Sequence, residues 1–108
     1  MKPWRLTGKA KRDLADIRRF TLEQWGARKA EDYLNNIYDK IKLAAERPAI
    51  GVDRSKSLNL GYEIRSIRCV SHVIYYAVLK THISVVAVLH QRMVPKVHLV
   101  KKHDTGGI

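Results

Sequence analysis

The sequence predicts an α+β fold: an N-terminal strand, an antiparallel helical hairpin, then a three-stranded antiparallel sheet, in the order β-α-α-β-β-β. Apolar residues recur at three- and four-residue spacing up to Pro48. Between Tyr62 and Leu89 almost every residue is β-branched, aromatic or aliphatic, interrupted by polar steps near Ser71 and at Lys80-Thr81-His82. With 108 residues the chain fits one domain, residues 1–108, with room for a single core between two layers.

Residues 2–6 predict a short extended segment. Pro3 cannot donate to a ladder, which suits the start of an edge strand. The first helix runs from Gly8 to Trp25, with Thr7 as N-cap, an apolar stripe through Ala10, Leu14, Ile17, Leu22 and Trp25, and Gly26 as its stop. Ala30, Tyr33, Leu34, Ile37, Ile41, Ala44 and Ala45 carry the second helix until Glu46-Arg47-Pro48. So short a break makes the pair an antiparallel hairpin. Trp4 and Trp25 are both expected in the core.

Pro48 to Leu60 reads as a long surface loop. Strands follow at about 62–68, 72–79 and 83–90, and their short connections force antiparallel pairing. In the second, His72, Ile74, Tyr76 and Val78 oppose Val73, Tyr75, Ala77 and Leu79; in the third, Ile83, Val85, Ala87 and Leu89 oppose Val86 and Val88. Both faces are therefore apolar, and two helices cover only one of them. The C-terminal tail 94–108, a second copy or a separate protein must cover the other. The tail offers only Val94, Val97, Leu99 and Val100, a thin lid.

Charge narrows the partners. The 21 Lys and Arg outnumber the 10 Asp and Glu, a formal net charge of +11, and beyond residue 50 the acidic residues are only Asp53, Glu63 and Asp104. Such an excess predicts an anionic partner, nucleic acid or an acidic protein. The lone Cys69 precludes an internal disulfide, and no metal site or cofactor is expected. No apolar run reaches signal-peptide length or the ~20 residues of a membrane span, so a reducing cytoplasm is expected.

No phosphate-binding glycine loop or nucleophilic triad spacing appears. Asp13, Asp16, Arg12 and Arg19 read as a solvated helix face. Arg65, Arg68, His72, His90 and Arg92 are interleaved with strand positions, where they could meet beside the sheet. Three readings stay open: local charge pairs, for instance with Glu63; a protein- or DNA-contacting surface; or a metal-free nuclease site in which Arg steadies phosphate while His, Tyr75 or Tyr76 moves protons.

The run L-T-G-K-A-K-R-D-L-A-D-I in the first helix, R-P-A-I-G after the second, R-S-I-R-C-V-S-H-V-I-Y-Y in the sheet and V-A-V-L-H-Q-R-M at its end together resemble the ParE toxins of the RelE/ParE superfamily, over roughly residues 4 to 99. Gly51 matches the glycine after the helix-two proline, Arg65-Ser66 the arginine-serine of the first sheet strand, His72, Ile74 and Tyr76 the H-x-I-x-Y strand, and His90 with Arg92-Met93 the L-H-x-R-M ending. The chain departs from the pattern at Val94-Pro95, where the family commonly carries aspartate, and at Glu63.

The resemblance implies a type II toxin that poisons DNA gyrase on its DNA by binding, not by enzymatic turnover, and that is neutralised by an acidic ParD-like antitoxin. Under it, Arg65, Arg68, His90, Arg92 and Lys96 would face gyrase or nucleic acid, and Leu14, Ile17, Tyr33, Ile37 and Tyr75 would take the antitoxin. A RelE-like ribosome-dependent mRNA endoribonuclease is the alternative, although no tyrosine follows Tyr76. A non-toxic interaction module is a third reading.

Overall fold

A computed structural model describes residues 2–99. Strand β1 (Trp4–Leu6) leads into α1 (Gly8–Trp25) and α2 (Ala27–Glu46). A 3-10 turn at Pro48–Ile50 precedes β2 (Val52–Asp53) and the short α3 (Ser55–Leu58). Then come β3 (Ile64–Cys69), β4 (His72–Val78), β5 (Ile83–His90) and α4 (Pro95–Leu99). The α+β order is as expected, but the sheet has five strands, in the order β1-β5-β4-β3-β2. Strands β3, β4 and β5 form the predicted antiparallel meander; β1 adds parallel to β5, and β2 antiparallel to β3.

The helices form where the periodicity places them. The Thr7 hydroxyl accepts from the Ala10 amide at 3.1 Å, closing the first turn of α1. Gly26 alone separates α1 from α2, donating to the Leu22 carbonyl and accepting from the Ala30 amide. Its φ of 91° and ψ of 171° lie in a region essentially reserved for glycine. Ala10, Leu14 and Ile17 of α1 and Leu34, Ile37, Ile41, Ala44 and Ala45 of α2 bury against Cys69, Ile74, Tyr76, Ile83, Val85 and Val88. Trp25 is not part of this core. It ends α1 at the tip of the hairpin, and 64% of it is exposed; Trp4 is half-buried against Tyr38.

The segment expected to be a loop is partly ordered by its own polar side chains. Asp53 accepts from the Ser55 amide, the Ser55 hydroxyl accepts from the Ile64 amide, and the Arg54 guanidinium donates to the Ser66 hydroxyl. These bonds hold α3 in place, so Leu58 is buried on the sheet face away from the hairpin. There it joins Ile64, Tyr75, Ala87 and Leu89, with Leu60, Val73, Val86 and Leu99 at the margin. The second face is thus covered by α3 and by α4 of the tail; residues 100–108 lie outside the described residues.

A β-bulge corrects the predicted alternation of β5. Tyr75 pairs with Ala87 but Tyr76 pairs with Val85, leaving Val86 as the extra residue. Ile83 and Val85 consequently face the helices with Val88, while Ala87 and Leu89 face the opposite way. The start of α1 secures this irregularity: the Thr7 amide bonds the Val85 carbonyl, the Thr7 hydroxyl donates to the Val86 carbonyl, and Asp13 Oδ2 accepts from the Val88 amide at 2.9 Å. In β3 no bulge is needed, since Ile64 and Ile67 serve opposite faces.

Candidate functional site

Past the bulge, β5 brings His90 to the helical side, where it pairs directly across from His72 of β4. The two rings meet edge to face with centroids 5.4 Å apart. Tyr33 of α2 reaches both the β3–β4 turn and this pair: its hydroxyl lies 3.3 Å from the Ser71 amide and 2.6 Å from His72 Nδ1. Burial pushes the Tyr33 phenol up, so it keeps its proton; it accepts from the Ser71 amide and shares a hydrogen bond with His72 Nδ1. Burial, with His90 second, holds the His72 imidazole below its ordinary range, against an opposing pull from Asp13.

These side chains floor a groove of about 420 Å³ between the hairpin tip and the end of the sheet. Phe20, Thr21 and Trp25 of α1 form one wall; Lys29, Asp32 and Asn36 of α2 form the other. Lys29 Nζ stands 5.3 Å from the centroid of the Trp25 ring. The composition contains these residues but not their convergence, which depends on the bulge and on how the hairpin tip meets this end of the sheet. Asp13, read from the sequence as a solvated charge, is instead half of the bolt that fixes the bulge.

A second groove, about 340 Å³, runs between α1 and α2 beside β1. Lys11, Ala15 and Arg18 line one side and Glu31, Asn35 and Tyr38 the other.

The predicted cationic cluster divides. Arg65 is a brace: its guanidinium donates to Glu63 at 2.7 Å and to the Gly51 and Ala49 carbonyls, with Asp53 3.8 Å away. That is the local-pair arrangement. Beside it Gly51 touches the buried Tyr76, whose hydroxyl accepts from the Gly51 amide and donates to the Pro48 carbonyl; a Cβ on Gly51 would come within 2.5 Å of that oxygen. Arg68, three residues on and therefore on the other face, is exposed and bonds Gln91 and the Val70 carbonyl. Arg92 is exposed, its amide donating to His90 Nδ1 at 3.2 Å. Arg68, on the second face, and Arg92, just past His90 of the helical side, thus lie at the same end of the sheet, while Lys96 stands on α4 over the second face.

The residues expected to meet a protein partner are mostly interior. Leu14, Ile17 and Ile37 belong to the main core and Tyr75 to the second cluster, because their apolar side chains are what holds the layers together. Only Tyr33 is partly open, and Leu14 touches the second groove at its edge. Among the described residues no group of three His, Cys, Asp or Glu is placed to hold a metal ion, and no helix is long and apolar enough to cross a membrane.

Residues 4–95 match the model of a family described as the ParE toxin of the type II toxin–antitoxin system parDE. A relative from Caulobacter vibrioides, Toxin ParE1, is 38% identical over 101 residues, covering 92% of this chain and 99% of that one. Toxin ParE1 of Mycobacterium tuberculosis is 37% identical, covering 82% and 88% respectively. In solved structures the fold recurs in a chain from the chromosomal ParDE system of P. aeruginosa, with a TM-score of 0.70, 20% identity and coverage of 83% and 96%.

Proposed function

The chain belongs to the ParE toxins of parDE type II toxin–antitoxin systems, and from that premise we propose that it poisons DNA gyrase and blocks replication until a ParD-like antitoxin binds it. The observation that carries this reading is the family match over residues 4–95. The exposed Arg68 and Arg92, at the end of the sheet beside the half-buried His90, support it as the surface turned to gyrase and its DNA. On this reading the chain acts in the cytoplasm by binding, and turns over no substrate.

The antitoxin takes the second groove. Lys11 and Arg18 there suit an acidic segment, while Leu6 and Tyr38 receive apolar anchors. This replaces the interior residues Ile17, Ile37 and Tyr75 as antitoxin contacts, since reaching them would require opening the core.

The test is to incubate the purified chain with gyrase, supercoiled plasmid and ATP, then trap cleaved complexes with detergent and protease. Linear plasmid is expected. Intact plasmid with full gyrase activity would sink the reading. The Tyr33, His72 and His90 group favours a second reading, ribosome-dependent mRNA cleavage, which predicts cut mRNA in place of linear plasmid and loss of cutting in His90→Ala.

A further inference from the structure

Strand β1 is one edge of the sheet, and its outer side carries no further strand. The Pro3 carbonyl accepts from the Ile83 amide and the Thr7 amide donates to the Val85 carbonyl, so by the alternation of a parallel ladder Arg5 also turns its amide and carbonyl to β5. Trp4 and Leu6 then point theirs outward, where neither meets a hydrogen-bond partner among the described residues. We propose that this edge takes an antiparallel strand from a partner protein, with an acidic residue opposite Arg5 and apolar residues opposite Trp4 and Leu6. This rests on the reading that places the antitoxin in the adjoining second groove, and adds how its main chain is held.

The edge is held ready for a strand. The Lys2 amide bonds the Ala45 carbonyl of α2 before it, and Thr7 bonds the Val85 and Val86 carbonyls after it, so the backbone between is fixed at both ends. Pairing then costs β1 little ordering. Its two outward residues offer two donors and two acceptors, the main-chain half of strand addition.

The side chains set the pattern of the incoming strand. Residues opposite one another in an antiparallel pair share a face, and Trp4 and Leu6 face the hairpin, where Trp4 packs on Tyr38 and Leu6 lines the second groove. Apolar residues opposite them extend that contact. Arg5 turns to the other face, is exposed and has no ion pair among the described residues. On the outer side it forms the non-hydrogen-bonded kind of pair, with Cα atoms about 4.5 Å apart, so an opposite carboxylate meets the guanidinium directly.

The same arginine disfavours a second copy of this chain. Two β1 strands about a two-fold axis use both outward residues only where Trp4 faces Leu6 of the copy, and that register sets Arg5 against its own counterpart. Like charges so placed repel. An acidic strand supplies ladder and counter-charge together, which suits a chain of net charge +11.

The experiment is an NMR titration of the isotope-labelled full chain with a capped Thr-Val-Glu-Val-Glu-Val-Thr peptide, following amide exchange in β1. The Trp4 and Leu6 amides are expected to exchange more slowly on binding, while the Arg5 amide, already turned to β5, changes little. The same peptide with lysine for glutamate should bind several-fold more weakly, and Arg5→Glu should reverse that order. N-methylation of the valines, whose amides face β1, should abolish binding; N-methylation of the glutamates, whose amides face away, should leave it. Arg5 is exposed, so the fold is expected to persist, which circular dichroism checks. Absence of binding, binding that leaves Trp4 and Leu6 exchange unchanged, or binding that tolerates N-methylated valines would overturn the strand. Equal affinity for the two peptides, unmoved by Arg5→Glu, would overturn the acidic pattern and the proposal with it. The antitoxin's place in the groove is read separately, through Arg18→Ala and antitoxin binding, so either reading can fail alone.

Discussion

Tyr33 and His72 set the polar chemistry of the groove, since one hydroxyl bonds both the β3–β4 turn and the imidazole. Burial keeps His72 neutral, and the groups facing it are Tyr33 from α2, His90 from β5 and, farther off, Asp13 from α1. Its folded pKa is depressed, so the unfolded chain takes up a proton first as pH falls. The stability His72 contributes is complete above its ordinary value near 6.5 and is lost as pH drops from there through the lowered folded value. Urea unfolding across that window should show the loss, and His72→Gln, whose uncharged amide can still hydrogen-bond Tyr33, should flatten it. Asp13 makes a separate contribution. Asp13→Ala leaves the Val88 amide of the bulge without a partner, which should cost about 1–3 kcal/mol in the same unfolding measurement. Neither role is legible in sequence. An aspartate one turn into a helix carries the same local signal whether it meets water or a bulged strand, and only the tertiary contact separates the two.

Helix existence and strand pairing follow from periodicity, because burial of one face imposes it; the bulge does not, because Val86 is as apolar as its neighbours. Alternation in Ile83 to Leu89 looks uninterrupted, yet the parity of the strand reverses within it. Two turns also carry conformations their neighbours do not announce. Gly26 joins the helices at positive φ with no atom within 4 Å of where a Cβ would sit, so Gly26→Ala tests backbone strain alone. Thermal melts should register a loss of about 1–3 kcal/mol. Val70, at φ 55° in the β3–β4 turn, is a β-branched residue in the left-handed region and 64% exposed. Val70→Asn should therefore stabilise the chain by about 1 kcal/mol, because asparagine tolerates that backbone. An unchanged melting temperature would mean that the turn stores no strain.

At the scale of the molecule, the sheet is apolar on both sides, and the chain uses segments that look least structured to cover the face the hairpin leaves open. The apolar alternation of the strands predicted that cover was needed and left the tail, a second copy or a separate protein to supply it; it could not nominate α3, whose Leu58 and Leu60 sit in a polar context until side-chain bonds order the backbone. The same layering separates two charged surfaces. Lys11 and Arg18 flank the groove along the hairpin, while Arg68 and Arg92 occupy the far corner of the sheet. If the hairpin groove takes the antitoxin and the corner faces gyrase, substitutions in the two regions must dissociate. Arg92→Ala should lower toxicity in growing cells while antitoxin binding by the purified chain stays at the wild-type level. Arg18→Ala should weaken antitoxin binding several-fold, since an interfacial charge contributes mainly where its counter-charge sits, and should leave toxicity intact. Both arginines are exposed, so neither change removes core packing and the comparison reads surfaces alone. Equal toxicity of Arg92→Ala at matched expression would take the corner out of the gyrase-facing surface, and a parallel loss of both properties in either variant would mean that one surface serves both partners.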